Sequence, residues 1–319
     1  MELILHIVYF GLINLAVAFV GYALIKRGVI WQSWLLLVVS IFAVYLIFLR
    51  DYPIARMLSL IALTFTAMKV IAVAESYKGK KLKLTFKQWF VFATGWAGMR
   101  AEPFETLGAK ALPNAWAMIR FGVSRMAMGG VLILLAHLIV SFHFNQDLTY
   151  TIVSIMLLVG LSLILHFGLL SVSAGSWRLS GVNTYFLFKQ PAHALSLAEF
   201  WSKRWNLAFT EMTSIAIFRP LRKKTGPAIA LMLAFIFSGL LHELALSVPV
   251  NHGYGLPLLY FIIQGLLVLV EKALAGRNVK FLKNKMVAHA WVFFWMVAPA
   301  PLLFHTQFIK QIVWPLSGL

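Results

Sequence analysis

Two stretches of an otherwise apolar chain hold residues with chemical potential. SLAEFWSKRWN (196–206) gathers a carboxylate, two cations, two tryptophans and an amide, and SGLLHELAL (238–246) sets His242 and Glu243 inside a hydrophobic run. An ionisable side chain within a membrane span is costly, so His242 reads either as lining a polar cavity or path, or as a histidine satisfied by a neighbouring helix. Ser238, one turn earlier, can orient the imidazole or bond its own backbone, and Gly239 admits a close helix neighbour. Glu243 points about 100° away from His242 and is expected to pair with a cation. HELAL opens like a zinc-protease motif but lacks the second histidine, so no metal is expected. No Ser-His-Asp grouping, P-loop or EF-hand loop is recognisable, and the absence of cysteine excludes disulfides, thiolate nucleophiles and thiolate-held metals. His137 and His166, the other histidines in apolar runs, have no comparable polar neighbourhood and read as structural.

The elements that must position these residues are membrane helices. Of the 319 residues, 61% are hydrophobic, and the mean hydropathy of +0.86 lies far above that of soluble domains. Apolar stretches near 20 residues predict about eight spans, at roughly 3–25, 30–49, 54–75, 126–142, 149–175, 226–248, 256–274 and 287–308. The first lacks a basic n-region and is too long for a signal-peptide core, so it is expected to be retained as a span. FKQWFVFATGWAGM (86–99) is too interrupted to cross and is expected to lie at the interface or re-enter. The expected fold class is all-α and polytopic, with residues 1–319 forming one membrane-embedded domain without internal repeats.

The net charge of +18 raises the possibility of nucleic-acid binding, but the distribution of the cations argues otherwise. If eight spans alternate, 24 of the 28 Lys and Arg residues fall on one side, leaving Arg50, Arg56 and Lys310 opposite and Lys69 within a span. The positive-inside rule then places the basic loops in the cytoplasm and both termini on the other side, and no nucleic-acid partner is expected. The same basic face would attract anionic lipid headgroups or a phosphate-bearing substrate.

Locally, Ser196 and Glu199 have capping-box spacing, so a helix is expected to start at Ser196. On a regular helix Trp201 and Trp205 share one face as interfacial anchors, Glu199 precedes Lys203 by one turn, and Asn206 projects with Ser202 and Lys203 roughly opposite Trp201. Spacing alone leaves two readings of Asn206. It either faces a cavity or bonds a neighbour on an amphipathic interfacial helix.

FWSKRWNLAFTEM (200–212), FRPLRKK (218–224), FSGLLHELALSVPV (237–250) and YFIIQGLLVLVEK (260–272) together resemble the membrane-bound O-acyltransferase superfamily in its wax synthase branch, over about 180–272. The 36 residues from Asn206 to His242 agree with that pattern, whereas upstream of 180 only hydropathy and span count match. The resemblance implies His242 and Asn206 as the catalytic pair, with Trp201, Arg204 and Trp205 as supporting, substrate-binding positions. It also implies transfer of a long-chain acyl group from acyl-CoA to a fatty alcohol to form a wax ester. Sterol or glycerolipid hydroxyls are the nearest alternative acceptors, and a carrier or channel with His242 in its path is the alternative of another class. Acyl-CoA enters as co-substrate, no cofactor is expected, and the partners are a lipid alcohol and membrane lipids.

The charge asymmetry generates a topological test. Cysteines introduced at Lys81 and Lys283 are expected to react with an impermeant reagent only from the cytoplasmic side, and labelling from opposite sides breaks the eight-span arrangement.

Overall fold

A computed structural model describes residues 2–142, 145–277 and 284–319, so Lys283 lies outside the described residues. The principal helices are α1 (Glu2–Arg27), α2 (Ile30–Ile47), α3 (Pro53–Ser76), α4 (Phe86–Gly95), α5 (Ala115–Ser141), α6 (Gln146–Leu179), α7 (Leu207–Thr213), α8 (Pro227–His242), α9 (Leu256–Gly276) and α10 (Lys285–Val297). Eight helices among the described residues are long and apolar enough to cross a membrane: α1, α2, α3, α5, α6, α8 with its continuation to Val250, α9, and α10 continuing to Leu303. The protein is therefore an all-α, multi-pass membrane protein. The expected boundary that moves most is the start of α5, at Ala115 rather than near 126, so Arg120 and Arg125 lie inside a span. Hydropathy stops at these arginines, but the helix continues because Arg125 lays its guanidinium over the Phe121 ring at 4.8 Å.

The chain forms two compact units, the first from residues 1–102 and 189–305, the second from 103–188 and 306–319. In the second unit, α5 and α6 pack through glycines. A Cβ at Gly129 would stand 2.5 Å from the Gly160 carbonyl oxygen, and one at Gly122 would stand 2.7 Å from that of Gly168. Small residues here let two backbones approach without side chains between them. His166 bonds Ser162 Oγ at 3.1 Å and His137 Nε2 bonds the Ser317 carbonyl at 2.9 Å, which gives both histidines structural partners.

In the first unit α3 is the most enclosed helix, and α4 packs against it and against α1. Thr85 and Gln88 form a capping box that starts α4. Trp89 and Phe92 are fully buried, and Trp89 Nε1–H donates to the Ala18 carbonyl at 2.8 Å, so this segment enters the protein instead of lying on its surface. Its far end is closed by Lys69 of α3. The ammonium donates to the carbonyls of Phe92 (3.0 Å), Ala93 (2.8 Å) and Trp96. A cation at a helix C-terminus meets carbonyls that have no intrahelical partner, which is how an apolar span accommodates a lysine.

Replacing Lys69 with Met leaves these buried carbonyls unsatisfied. The expected loss is about 2–3 kcal/mol, read as a lower thermal midpoint of the detergent-solubilised protein. An unchanged midpoint removes this role for Lys69.

Candidate functional site

The helix at Ser196 starts as expected, with Ser196 Oγ accepting the Glu199 N–H at 2.9 Å. Glu199 Oε2 accepts the N–H of Leu195, one residue earlier than in a standard capping box. After Leu197–Glu199 the backbone widens into a π-helix over Phe200–Arg204, closed by the Trp205 N–H donating to the Phe200 carbonyl at 2.9 Å. This wider turn overturns three local expectations. Glu199 pairs with Arg204 at i+5 (Oε1 to Nη2 2.7 Å, to Nε 2.8 Å), not with Lys203 at i+4, because i→i+5 bonding sets Arg204 above it. The Leu195 N–H and Arg204 hold the Glu199 carboxyl below the usual carboxylate range. Trp205 leaves the helix in extended conformation and Asn206 follows in the left-handed region at φ +43°, so neither keeps the face that a regular helix would give it. The tryptophans, finally, pack inside the protein against the cluster of Phe200 and Val268, with Trp201 also against Phe235, instead of anchoring an interfacial helix.

Asn206 then serves as N-cap of α7, where its Oδ1 accepts the Phe209 N–H at 3.4 Å. An asparagine suits both tasks, since it tolerates the left-handed region and caps helices. This is the only hydrogen bond its side chain makes among the described residues, which leaves the amide NH₂ available. Downstream, Leu207, Ala208, Glu211 and Met212 are buried, so the segment dips into the protein.

One face of α9 holds this segment in place. Glu271, 4% exposed, accepts the N–H groups of Leu197 (Oε1, 2.9 Å) and Ala198 (Oε2, 3.0 Å), two donors of the first helical turn. Gln264, fully buried, accepts the Trp201 indole N–H at 3.1 Å and donates to the Trp295 carbonyl at 2.7 Å. Val268 lies between them in the apolar cluster around Phe200. Sequence reasoning missed Gln264 and Glu271. The signal was present in the spacing of polar residues at 264 and 271 on one face of a span, where each needs a buried partner.

His242 is the last residue of α8, and a π-turn follows over Glu243–Ser247. Its Nδ1 lies 2.7 Å from the backbone carbonyl of Ser238, not from the serine hydroxyl. A carbonyl only accepts, so Nδ1 carries the hydrogen, and in the neutral ring Nε2 carries the lone pair. The ring sits between Phe209 (centroids 4.9 Å) and Phe261 (4.3 Å). Gly239 permits the second contact, since a Cβ there would stand 3.0 Å from Leu258 Cα. Among the described residues Glu243 forms no salt bridge with a lysine or arginine. Its Oε1 accepts the Leu258 N–H at 2.9 Å in the first turn of α9, where the positive end of the helix dipole takes the place of a cation.

Asn206 and His242 line one cavity of about 310 Å³, together with Trp201, Trp205, Thr210, Phe235, Phe261 and Lys272. Arg204, held by Glu199, is not in its wall. The hydroxyls of Ser202, Thr210 and Thr213, also in the wall, donate to backbone carbonyls within their own segment. The hydrogen-bonding groups left facing the cavity therefore include the Asn206 amide and His242 Nε2. α8 and α9 run antiparallel, with Gly239 against Leu258 and Gly265 against Met232. The cavity follows their groove from Leu231 and Lys272 to His242 and Phe261, eleven residues along each helix, or about 16 Å. Among the described residues no group of three His, Asp or Glu side chains is arranged to hold a metal ion.

Residues 184–263 match the model of the membrane bound O-acyl transferase family. The matched region contains Trp201, Arg204, Trp205, Asn206 and His242 and stops just short of Gln264 and Glu271. The chain is similar to a long-chain-alcohol O-fatty-acyltransferase of Simmondsia chinensis, 25% identical over 46% of this chain and 45% of the relative. It is also similar to a probable long-chain-alcohol O-fatty-acyltransferase 2 of Arabidopsis thaliana, 25% identical over 60% of this chain and 59% of the relative. The chain thus spans about half the length of the curated relatives it matches.

The contact of Glu271 with the Leu197 turn is open to a direct test. Glu271→Ala leaves two buried N–H groups unpaired and is expected to cost about 2–4 kcal/mol and to expose Lys203 and Arg204 to limited trypsin digestion. Glu271→Gln keeps one acceptor and should retain most of the protection. Equal cleavage of wild type and Glu271→Ala shows that the contact does not hold the segment.

Proposed function

We propose that the protein is an O-acyltransferase that moves a long-chain acyl group from acyl-CoA to the hydroxyl of a fatty alcohol, forming a wax ester. The observation that carries this reading is the opening of His242 Nε2 and the Asn206 amide onto one largely apolar cavity. The names of both relatives support the substrate class.

In this reading the alcohol lies with its hydroxyl toward His242 Nε2. The imidazole takes the hydroxyl proton as the oxygen attacks the thioester carbon, a service that contributes about 10²–10⁴-fold in rate. The amide of Asn206 donates to the oxyanion of the tetrahedral intermediate, where one donor contributes roughly 2.7–4 kcal/mol. Collapse breaks the C–S bond, the imidazolium returns its proton to the departing thiolate, and ester and free CoA leave. Nδ1, fixed on the Ser238 carbonyl, keeps the ring in the tautomer that can accept the proton. No cofactor is required.

The polyanionic CoA head belongs at the Lys272 end of the cavity, on the side of the basic loops, which the positive-inside rule makes cytoplasmic. Long acyl chains and alcohols partition into the bilayer and suit the aromatic walls. Trp201 and Trp205 shape that wall, and Arg204 supports it through Glu199.

His242→Ala is expected to leave the protein folded and inserted while lowering turnover by at least about 10²-fold, with purified enzyme, long-chain acyl-CoA and a panel of fatty alcohol, sterol and diacylglycerol acceptors. The Asn206→Ala/His242→Ala variant should be little worse than His242→Ala alone, because both groups act on one transition state. Near-normal ester formation by His242→Ala removes the mechanism, and preference for sterol or diacylglycerol replaces the acceptor.

A further inference from the structure

A second cavity, of about 700 Å³, shares Trp205 with the first and is lined by residues 191–194 and α10. Trp205 is in the wall of both, stacked on Phe200 at 5.6 Å and 14°. The second cavity takes no part in the acyl transfer described above, and its chemistry is different. Its wall on α10 contains His289, Val292, Phe293 and Met296. These share one helical face with Lys285 one turn earlier, so the face changes from cationic and imidazole at its start to apolar further along. His193 stands opposite at the polar end. The floor is firm, since Ala194, Phe200 and Val292 are buried in one packed cluster. The outer rim is open: Phe293 is 71% exposed and belongs to a helix apolar enough to cross a membrane, so what meets it is bilayer.

We propose that this groove binds an anionic phospholipid, with its phosphate at Lys285, His193 and His289 and an acyl chain laid along Phe293 and Met296 against Phe200 and Trp205. Three features select this occupant. The helix start fixes the polar end at headgroup depth. The ammonium and the imidazole donors match a phosphate, whereas an uncharged alcohol gives Lys285 nothing to pair with. The apolar end lies deeper along a span, where only an acyl chain reaches. Because its chain rests on Trp205, the bound lipid supports the wall of the neighbouring cavity.

Native mass spectrometry of the purified full chain, titrated with phosphatidylglycerol or phosphatidylcholine, tests this without reference to catalysis. Wild type is expected to retain phosphatidylglycerol in preference to phosphatidylcholine. Lys285→Gln/His193→Ala/His289→Ala is expected to bind phosphatidylglycerol roughly 5- to 10-fold more weakly, with its thermal midpoint and phosphatidylcholine retention unchanged. Met296→Trp, which fills the apolar end and leaves the cations in place, should also displace the lipid. Equal retention of the two lipids by wild type, undiminished phosphatidylglycerol binding in the triple variant or in Met296→Trp, or full competition by millimolar inorganic phosphate each overturns the proposal.

Discussion

The carboxylate of Glu271, buried beneath the first turn at Leu197, is the contact on which the geometry of the candidate site rests. It belongs to a pattern that runs through the first unit. Glu243 meets the N-terminal turn of α9, Glu211 accepts the Met99 N–H, Lys69 closes the C-terminal end of α4, and Arg56 gathers the carbonyls of Phe48 and Leu49 at the end of α2. Acids sit where backbone donors lack partners and bases where acceptors do. In an apolar medium each such group must be satisfied internally, so helix ends and buried charges solve each other's problem. His242 departs from the pattern. One ring nitrogen is tied to its own helix, while the half-buried ring lines a cavity.

Much of the architecture was legible because hydropathy is dictated by the solvent. Eight spans emerge from apolar run length alone; the last ends at Leu303 rather than near 308, and the largest misplacement is the start of α5, where two arginines masked a helix whose cation lies over an aromatic ring. The cap at Ser196 was also legible, since capping chemistry is local.

What was not legible followed from long-range demand. Nothing local to FWSKR announces a π-turn. It forms where packing against Val268, the Glu271 carboxylate and the Trp201–Gln264 bond jointly fix a segment that a regular helix would twist away. The partner of Glu243 was misjudged for a similar reason, because a helix N-terminus has no side chain to read in sequence. The pairing of Asn206 with His242 in one wall depends on that distortion, so spacing alone left Asn206 with two readings.

The π-turn also bears on how this segment tolerates changes in length. It holds one residue more than a regular turn would, and that surplus residue is what turns Asn206 toward the cavity. Deleting a single residue between Phe200 and Arg204 would remove the i→i+5 closure at Trp205 and shift the turn from which Trp205 and Asn206 leave the helix. Loss of Lys203 alone would spare every residue of the cavity wall while the placement of the amide is lost. In lineages carrying this segment, its residue count should therefore drift less than its residue identities.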